Sequence, residues 1–209
     1  MGHGYHGKIL RVDLTSGETR VEEIPDSIYR KYLGGSALGS YFLLRDLQPG
    51  ADPLGPDNML LVMTSVINGT TLSGANRYSV MAKSPLTNGF GESEAGGYFG
   101  PELKAAGFDG IIVTGRASSP VYLWINDGEV EIRQADHLWG RLSGEVQDTL
   151  EDELGDKRIR VLQTGVSGEK MVRFAALVNQ CKHFHGRSGM GAVMGSKNLK
   201  AIAVRGKAR

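Results

Sequence analysis

Two glycine-rich stretches hold the side chains and bare backbone from which a binding site could be built. The first runs from Arg77 to Gly100 and contains Glu92, Glu94 and the pair Gly96-Gly97, just before a short predicted helix at Pro101–Ala106. A Gly-Gly pair at a helix start lets backbone N–H groups and the positive end of the helix face an anion. The second runs from His183 to Lys197 and sets Arg187 and Lys197 around Gly186, Gly189, Gly191 and Gly195, again a phosphate cradle in outline. Neither stretch matches the dinucleotide fingerprint or the P-loop, because the glycine spacing or the Lys-Ser/Thr pair is wrong. On the residues alone, tight turns that serve packing account for them equally well.

The remaining reactive side chains are few. His183 and His185 are two apart, so on a strand they share a face and have the spacing of metal ligands, but no third ligand is evident. Supporting or backbone roles are therefore expected of them. His137, between Asp136 and Trp139, reads as a packed loop residue. Cys181 is the single cysteine. It cannot close an internal disulfide or hold an iron–sulfur cluster alone, and no base partner for it can be identified, so a free thiol rather than a nucleophile is expected. Glu102 falls in the first turn of a helix, where a carboxylate complements the dipole. Arg77, after a Ser-Gly-Ala-Asn turn, has the position of a solvated strand-end charge. Tyr122, Trp124, Trp139 and Phe174 are expected in the core rather than as stacking platforms.

The elements that must position these residues follow a repeated order. Lys8–Leu14 and Glu18–Ile24 alternate around Thr15-Ser16-Gly17, giving a hairpin. Asp26 can cap a helix running to about Leu47, with Gly34-Gly35 as a blemish inside it. A Pro- and Gly-rich loop, Pro49–Pro56, leads to strands at Met59–Val66 and Arg77–Ala82. The glycine stretch Asn88–Gly100, the short helix and a strand at Gly110–Val113 close this half. A second hairpin then begins, Val121–Ile125 and Val130–Ile132 around Asn126-Asp127-Gly128. Ser143 caps a helix to about Leu154, strands come next at Ile159–Gln163 and Val172–Val178, then the glycine stretch Gly186–Gly195 and a last strand at Ala201–Val204. The expected fold is α+β: a duplicated unit of two β-sheets related by a pseudo-two-fold, with flanking helices and internal halves of about 1–117 and 118–209. Asn88–Gly97 and His183–Gly195 would then be equivalent loops converging on one ligand with two similar ends.

Composition sets the outer bounds. The chain has 209 residues, with 24 basic and 23 acidic, for a net charge of +1. That balance gives no footprint for nucleic acid. No window approaches the ~18 apolar residues of a membrane span, and the opening Met1–His6 lacks a signal pattern, so a cytoplasmic protein is expected. Glycine is the unusual component at 30 residues, about twice ordinary usage. The glycines gather in a few loops, as backbone approaching a ligand or taking positive φ requires.

Longer runs carry a resemblance. Lys83-Ser84-Pro85-Leu86-Thr87, the run Ala95 to Gly107 (AGGYFGPELKAAG) and the run Gly186 to Val204 (GRSGMGAVMGSKNLKAIAV) resemble the N-terminal domain of the aldehyde ferredoxin oxidoreductase family. So do the opening Gly7-Lys8-Ile9-Leu10-Arg11-Val12-Asp13-Leu14 and Tyr32-Leu33-Gly34-Gly35. The resemblance implies a duplicated α+β base on which a tungsten or molybdenum bis-pterin cofactor lies, its phosphates bridged by Mg²⁺. By position it implies that Arg77 lies between a pterin and a four-iron cluster. Glu94 and Phe184 would offer backbone carbonyls to the Mg²⁺, and Gly96, Gly97, His183, Gly186 and Arg187 would line the cofactor. Glu94 and His183 depart from the family's residue types, a change that backbone contacts survive. The cluster cysteines belong to the family's C-terminal part and are absent from this chain.

The function so implied is the cofactor-cradling domain or subunit of an oxidoreductase that converts aldehydes to carboxylic acids with ferredoxin as acceptor. Its partners would be the C-terminal cluster-binding domains or a partner subunit, and ferredoxin; a homo-oligomer is compatible with it. This chain alone is expected to be inactive. The alternative class is a non-catalytic scaffold subunit that binds pterin or phosphate, and a weaker third is an unrelated phosphate-binding α/β domain.

Overall fold

The computed structural model describes residues 4–207; Met1–His3, part of the opening read as lacking a signal, and Ala208–Arg209 lie outside. Twelve strands form two six-stranded mixed sheets. The first contains β1 (Lys8–Asp13), β2 (Glu18–Glu23), β3 (Leu60–Met63), β4 (Tyr78–Lys83), β5 (Phe90–Ala95) and β6 (Gly110–Thr114), in the order β2-β1-β6-β3-β4-β5. The second contains β7 (Val121–Asn126), β8 (Glu129–Gln134), β9 (Arg160–Thr164), β10 (Leu177–Asn179), β11 (His183–His185) and β12 (Leu199–Arg205), in the order β8-β7-β12-β9-β10-β11. The two orders are the same once β7–β12 are matched in sequence to β1–β6. Directions match too: β1 runs parallel to β6 and β7 to β12, and every other neighbouring pair is antiparallel. This is the duplication read from the order of elements.

The helices are α1 (Asp26–Tyr32), α2 (Gly35–Asp46), α3 (Phe99–Ala105), α4 (Ser143–Leu154), α5 (Val166–Glu169) and α6 (Met190–Ser196), with a 3-10 turn at Asp136–Leu138. α1 and α2 cover the outer face of the first sheet, where Tyr29, Leu38 and Phe42 pack on Ile9, Leu61, Met63 and Met81. α4 covers the outer face of the second, with Val146 and Leu150 on Tyr122, Val161 and Ala203. The inner faces share one core between them, filled also by Phe99 and Leu103 of α3 and Met190, Val193 and Met194 of α6. The packing is reciprocal: α3 lies against β9 and β12 of the other half, and α6 lies against β3, β4 and β5. A two-fold relation requires such exchange. Among the described residues no helix is long and apolar enough to cross a membrane.

Several boundaries differ from expectation, each for a local reason. The single helix expected over Asp26–Leu47 is two helices. Leu33, Gly34 and Gly35 have φ of 59°, 116° and 54°. Gly34 there lies so close to the Thr64–Ser65 backbone that a Cβ would come within 2.6 Å of the Thr64 carbonyl. The glycine stretch from Asn88 is not all loop, since β5 alternates small buried residues (Gly91, Ser93, Ala95) with Phe90, Glu92 and Glu94 on the other face. The Gly186–Gly195 stretch likewise contains the wholly buried α6. The strand expected over Val172–Val178 shrinks to β10, because residues 173–176 turn to lie under Gly189 and Gly191. Phe174, expected in the core, is exposed on that turn. Trp139 is only half-buried, whereas Tyr122 and Trp124 are core. Ser143 is the first residue of α4 rather than its cap, and Glu145 accepts the Leu142 N–H at 2.9 Å.

Candidate functional site

The edge strands β5 and β11 come together where the two halves meet. Beside them opens a polar cleft of about 710 Å³ lined by Ser36, Arg77, Glu92, Ser93, Glu94, Phe184, Gly186 and Arg187. Five residues that the resemblance placed at the cofactor (Arg77, Glu94, Phe184, Gly186 and Arg187) and Glu92, noted in the first glycine-rich stretch, thus share one cavity. Gly96, Gly97 and His183 lie at its side, where β5 ends against the β10–β11 turn. Sequence reasoning missed Ser93, which lies on β5, and Ser36. The signal for Ser36 was the helix break at Gly34-Gly35, which places it in the first turn of α2.

Each cleft residue is placed by a simple feature of its element. On β5 the period of two turns Glu92 and Glu94 away from the buried small residues. Gly91 has to be small, since a Cβ there would meet Ser84, Met190 and Ser188 at 2.8–3.0 Å. Arg77 immediately precedes β4, and its guanidinium is 3.7 Å from the Glu94 carboxylate with 66% of its side chain exposed. Arg187 N–H donates to Ser93 Oγ at 3.2 Å, and its guanidinium has no ion pair among the described residues. The Phe184 ring is 59% exposed, turned out from the strand while His185 is turned in. Two arginines face two glutamates, so the lining carries no net formal charge.

Two glycines stand at matching positions. Gly96 directly follows β5 and Gly186 directly follows β11, the equivalent strand of the other half. Neither has a positive φ, and a Cβ would meet nothing within 4 Å at Gly186 and only the His183 ring at 3.9 Å from Gly96. Neither conformation nor internal packing requires glycine there. Gly97 differs. Its φ is 89°, and a Cβ would come within 2.5–2.9 Å of Asn179 Oδ1, the His183 ring and Gln180 Oε1. The next amide, Tyr98 N–H at the start of α3, is already taken by Gln180 Oε1 at 2.8 Å.

Other candidates have internal work. His183 and His185 do share a side of β11, facing the first half. His185 is fully buried, its Nδ1–H donates to Ser93 O at 2.8 Å, and burial pushes its pKa down to about 4. Among the described residues no three His, Cys, Asp or Glu gather as a metal site. Lys197, expected beside the second loop's bare backbone, is instead buried away from the cleft. It donates to the carbonyls of Asn58, Gly115 and Pro56 at 2.5, 3.1 and 3.2 Å. Cys181 is exposed, and partial burial with Asp148 and Glu151 nearby pushes its thiol up, away from nucleophilic character. His137 is an exposed partner of Glu153 at 3.1 Å. Glu102 ties α3 to the last strand through Arg205 at 2.6 Å.

Residues 9–206 match the family model described as aldehyde ferredoxin oxidoreductase, N-terminal domain. The chain is 48% identical over 206 residues to the tungsten-containing aldehyde ferredoxin oxidoreductase of Pyrococcus abyssi, covering 99% of this chain and 34% of that protein. It is 40% identical over 219 residues to an aliphatic sulfonate oxidoreductase, WOR-like subunit, of Pyrococcus furiosus, covering 98% of this chain and 35% of that protein. Among solved structures it is similar to the active-site complex BamBC of benzoyl coenzyme A reductase bound to 1,5-dienoyl-CoA. The TM-score is 0.97 at 37% identity, over 100% of this chain and 32% of that one. The chain therefore spans about one third of the length of the relatives it matches.

Proposed function

Because this chain belongs to the aldehyde ferredoxin oxidoreductase family, we propose that its cleft is the cradle of a tungsten bis-pterin cofactor in an oxidoreductase of which it forms the N-terminal domain. The observation that carries the reading is the pair Gly96 and Gly186. Two equivalent strands end in glycines that neither local packing nor φ explains, Gly186 in the lining of one polar cleft and Gly96 two residues past Glu94 of the same lining. Bare backbone at two related positions suits a ligand with two similar ends lying flat against both. The mixed lining fits as well. Arg77 and Arg187 would suit phosphate or pterin acceptors, while backbone carbonyls at Glu94 and Phe184 would suit a hard cation such as Mg²⁺.

When bound, this group supplies the two-electron redox chemistry that converts an aldehyde to a carboxylic acid, a chemistry no side chain here provides. The chain's own residues hold and orient. Gly96 and Gly97 with His183 shape one side of the cradle, and Gly186 with Arg187 shapes the other. Arg77, exposed and weakly paired, is free to bridge the cofactor and an iron–sulfur cluster held by the rest of the enzyme. Its five fixed N–H donors suit hydrogen bonds on two sides at once. Ferredoxin as acceptor rests on the names of the relatives at 44–48% identity. Tungsten rather than molybdenum rests on the same names.

The test is anaerobic purification of the enzyme that contains this chain, with metal, pterin and iron analysis. Tungsten and pterin are expected in wild type. Arg77→Lys should keep both while shifting the cluster potential or slowing reduction of the acceptor, because a point charge cannot reproduce the guanidinium fork. Wild-type enzyme without metal or pterin would refute the cradle. Potentials and rates equal in the wild type, Lys and Ala forms would leave Arg77 a solvated charge.

A further inference from the structure

Three backbone carbonyls of the first half are held by side chains of the second. Ser188 Oγ donates to Glu92 O at 3.2 Å, His185 Nδ1–H to Ser93 O at 2.8 Å, and Asn179 Nδ2 to Gly96 O at 3.2 Å. These bonds cross the seam between β5 and β11 and belong to neither sheet ladder. Ser93 and Gly96 bracket Glu94. Asn179 also donates to the Tyr78 hydroxyl at 2.9 Å, and the Tyr78 ring meets the His185 ring edge-on at 4.7 Å. Tyr78 follows Arg77 in the chain, so one buried cluster abuts the backbone of both.

His185 and Asn179 are wholly buried, and neither lines the cleft. Each is only half satisfied: His185 Nε2 and Asn179 Oδ1 have no hydrogen-bond partner among the described residues. A buried polar group with unused capacity is a poor stabiliser, because the unmade bond offsets the made one. An apolar side chain of the same shape would fill the space as well, but it would leave the Ser93 and Gly96 carbonyls without that donor. What the polar atoms achieve is to aim two carbonyls, and hence to fix the Ser93–Glu94 and Gly96–Gly97 peptide planes at the two ends of the segment that carries Glu94. Gly96, lacking a Cβ, would otherwise be the freest residue of that segment.

We propose that His185 and Asn179 are positioning residues of the cradle, reaching across from the second half to pin the Ser93 and Gly96 carbonyls and so set the backbone of Ser93–Gly97 against which the cofactor lies. The inference rests on the cleft being that cradle. It assigns these side chains no contact with the cofactor. Their effect is on backbone direction, where a displacement of about 1 Å is enough to spoil a site.

The experiment uses the whole enzyme purified anaerobically, with amide hydrogen exchange over residues 93–97 and metal and pterin content per polypeptide as paired readouts. His185→Phe keeps a ring while removing the donor and the unpaired nitrogen together; Asn179→Leu does the same for the amide. Both should fold with somewhat lower melting temperatures, because the Ser93 and Gly96 carbonyls lose a donor, exchange faster over 93–97, and retain the metal about 10-fold less well, the size seen when partners behind a metal's ligands are lost. His185→Asn, which carries a donor at the δ position, should restore most of both readouts, and His185→Gln, with its donor one atom further out, should not. If the apolar variants do not fold, the Asn and Gln pair decides the matter by the same two readouts. Folded variants with wild-type exchange and wild-type metal content would overturn the proposal, as would equal behaviour of Asn and Gln. Wild-type enzyme lacking metal and pterin would instead sink the reading of the cleft, and the exchange rates over 93–97 would still judge the pinning.

Discussion

The two halves share a strand order but spend their residues differently around the cleft. In the first half β4 and β5 are six residues each, and β5 presents Glu92 and Glu94 from a regular ladder. In the second the matching β10 and β11 are three residues each, and the cleft is lined mostly by Gly186 and Arg187, the two residues just past the end of β11. The buried helices diverge in the same way. α3 packs through Phe99 and Leu103, with a single glycine, Gly100, inside it. α6 is buried on every side and packs backbone on backbone, Gly191 against Ala175–Ala176 and Gly195 against Gly168–Glu169. Identical topology thus tolerates two ways of filling a core, one by side-chain volume and one by close approach of main chains. The second leaves less room for change.

The largest expected effect breaks that comparison directly. A Cβ on Gly195 would collide with the Gly168 carbonyl, whereas one on Gly100 would meet Tyr78 and Asn68 at 3.3–3.4 Å, atoms that can yield by a few tenths of an ångström. Gly195→Ala should cost about 3 kcal/mol or more, and Gly100→Ala about 1 kcal/mol or less, by overpacking. Urea denaturation of the two variants checks it, and equal losses would mean that α6 is no more tightly seated than α3.

A middle-sized effect concerns buried lysines. Each half sets one against a carboxylate, Lys104 near Asp109 at 3.9 Å and Lys200 on Glu169. Lys197 lies between the halves with only carbonyls as acceptors, and burial, reinforced by Arg116, pushes it from 10.5 down to about 7. Between those pH values the unfolded chain binds the proton more fully than the folded one. Through this group, stability therefore rises with pH across that window, by at most about 1.4 kcal/mol per unit. The Lys197→Met variant should lack that rise, seen as a flatter curve of unfolding free energy from pH 7 to 10. Parallel curves for variant and wild type would show that the three carbonyls hold the proton throughout.

The smallest effect sharpens the contrast between cleft and core. The Arg77–Glu94 pair is long and more than half exposed on the arginine side, and such pairs contribute about 0–1 kcal/mol. Arg77→Ala should leave the melting temperature within about 2 °C of wild type. A loss comparable to that of Gly195→Ala would make Arg77 part of the scaffold.

Much of the fold was legible because hairpins and β-branched runs announce themselves. Asn126-Asp127-Gly128 fixed the second hairpin, and the repeated order of elements was enough to imply two like sheets. What hid were elements made of small residues. β5 reads as loop because Gly91, Ser93 and Ala95 are small for the sake of α6, a tertiary reason no local pattern reveals. α6 is disguised by its own glycines in the same way. In the site, Arg77, Glu94, Phe184, Gly186 and Arg187 were picked from the sequence on their likeness to a family and do meet in one cleft. Ser36 carries no such likeness, because in the sequence the break at Gly34-Gly35 reads as a blemish within one helix. Asn179 carried no signal at all, since its partners, Tyr78 and Gly96, are 101 and 83 residues away.

The shared central core has one more consequence. Leu10, Leu60, Val62 and Ile111 from one sheet and Leu123, Leu162, Ile202 and Val204 from the other complete a single cluster. Neither half keeps a closed interior without its mate. The connection through Gly115–Pro120 lies outside every strand and helix, so it acts as a tether that raises the local concentration of one half around the other. Cut there, the chain would become two polypeptides whose folding is also their association. Their stability would carry a dissociation constant and depend on dilution, where the intact chain's does not.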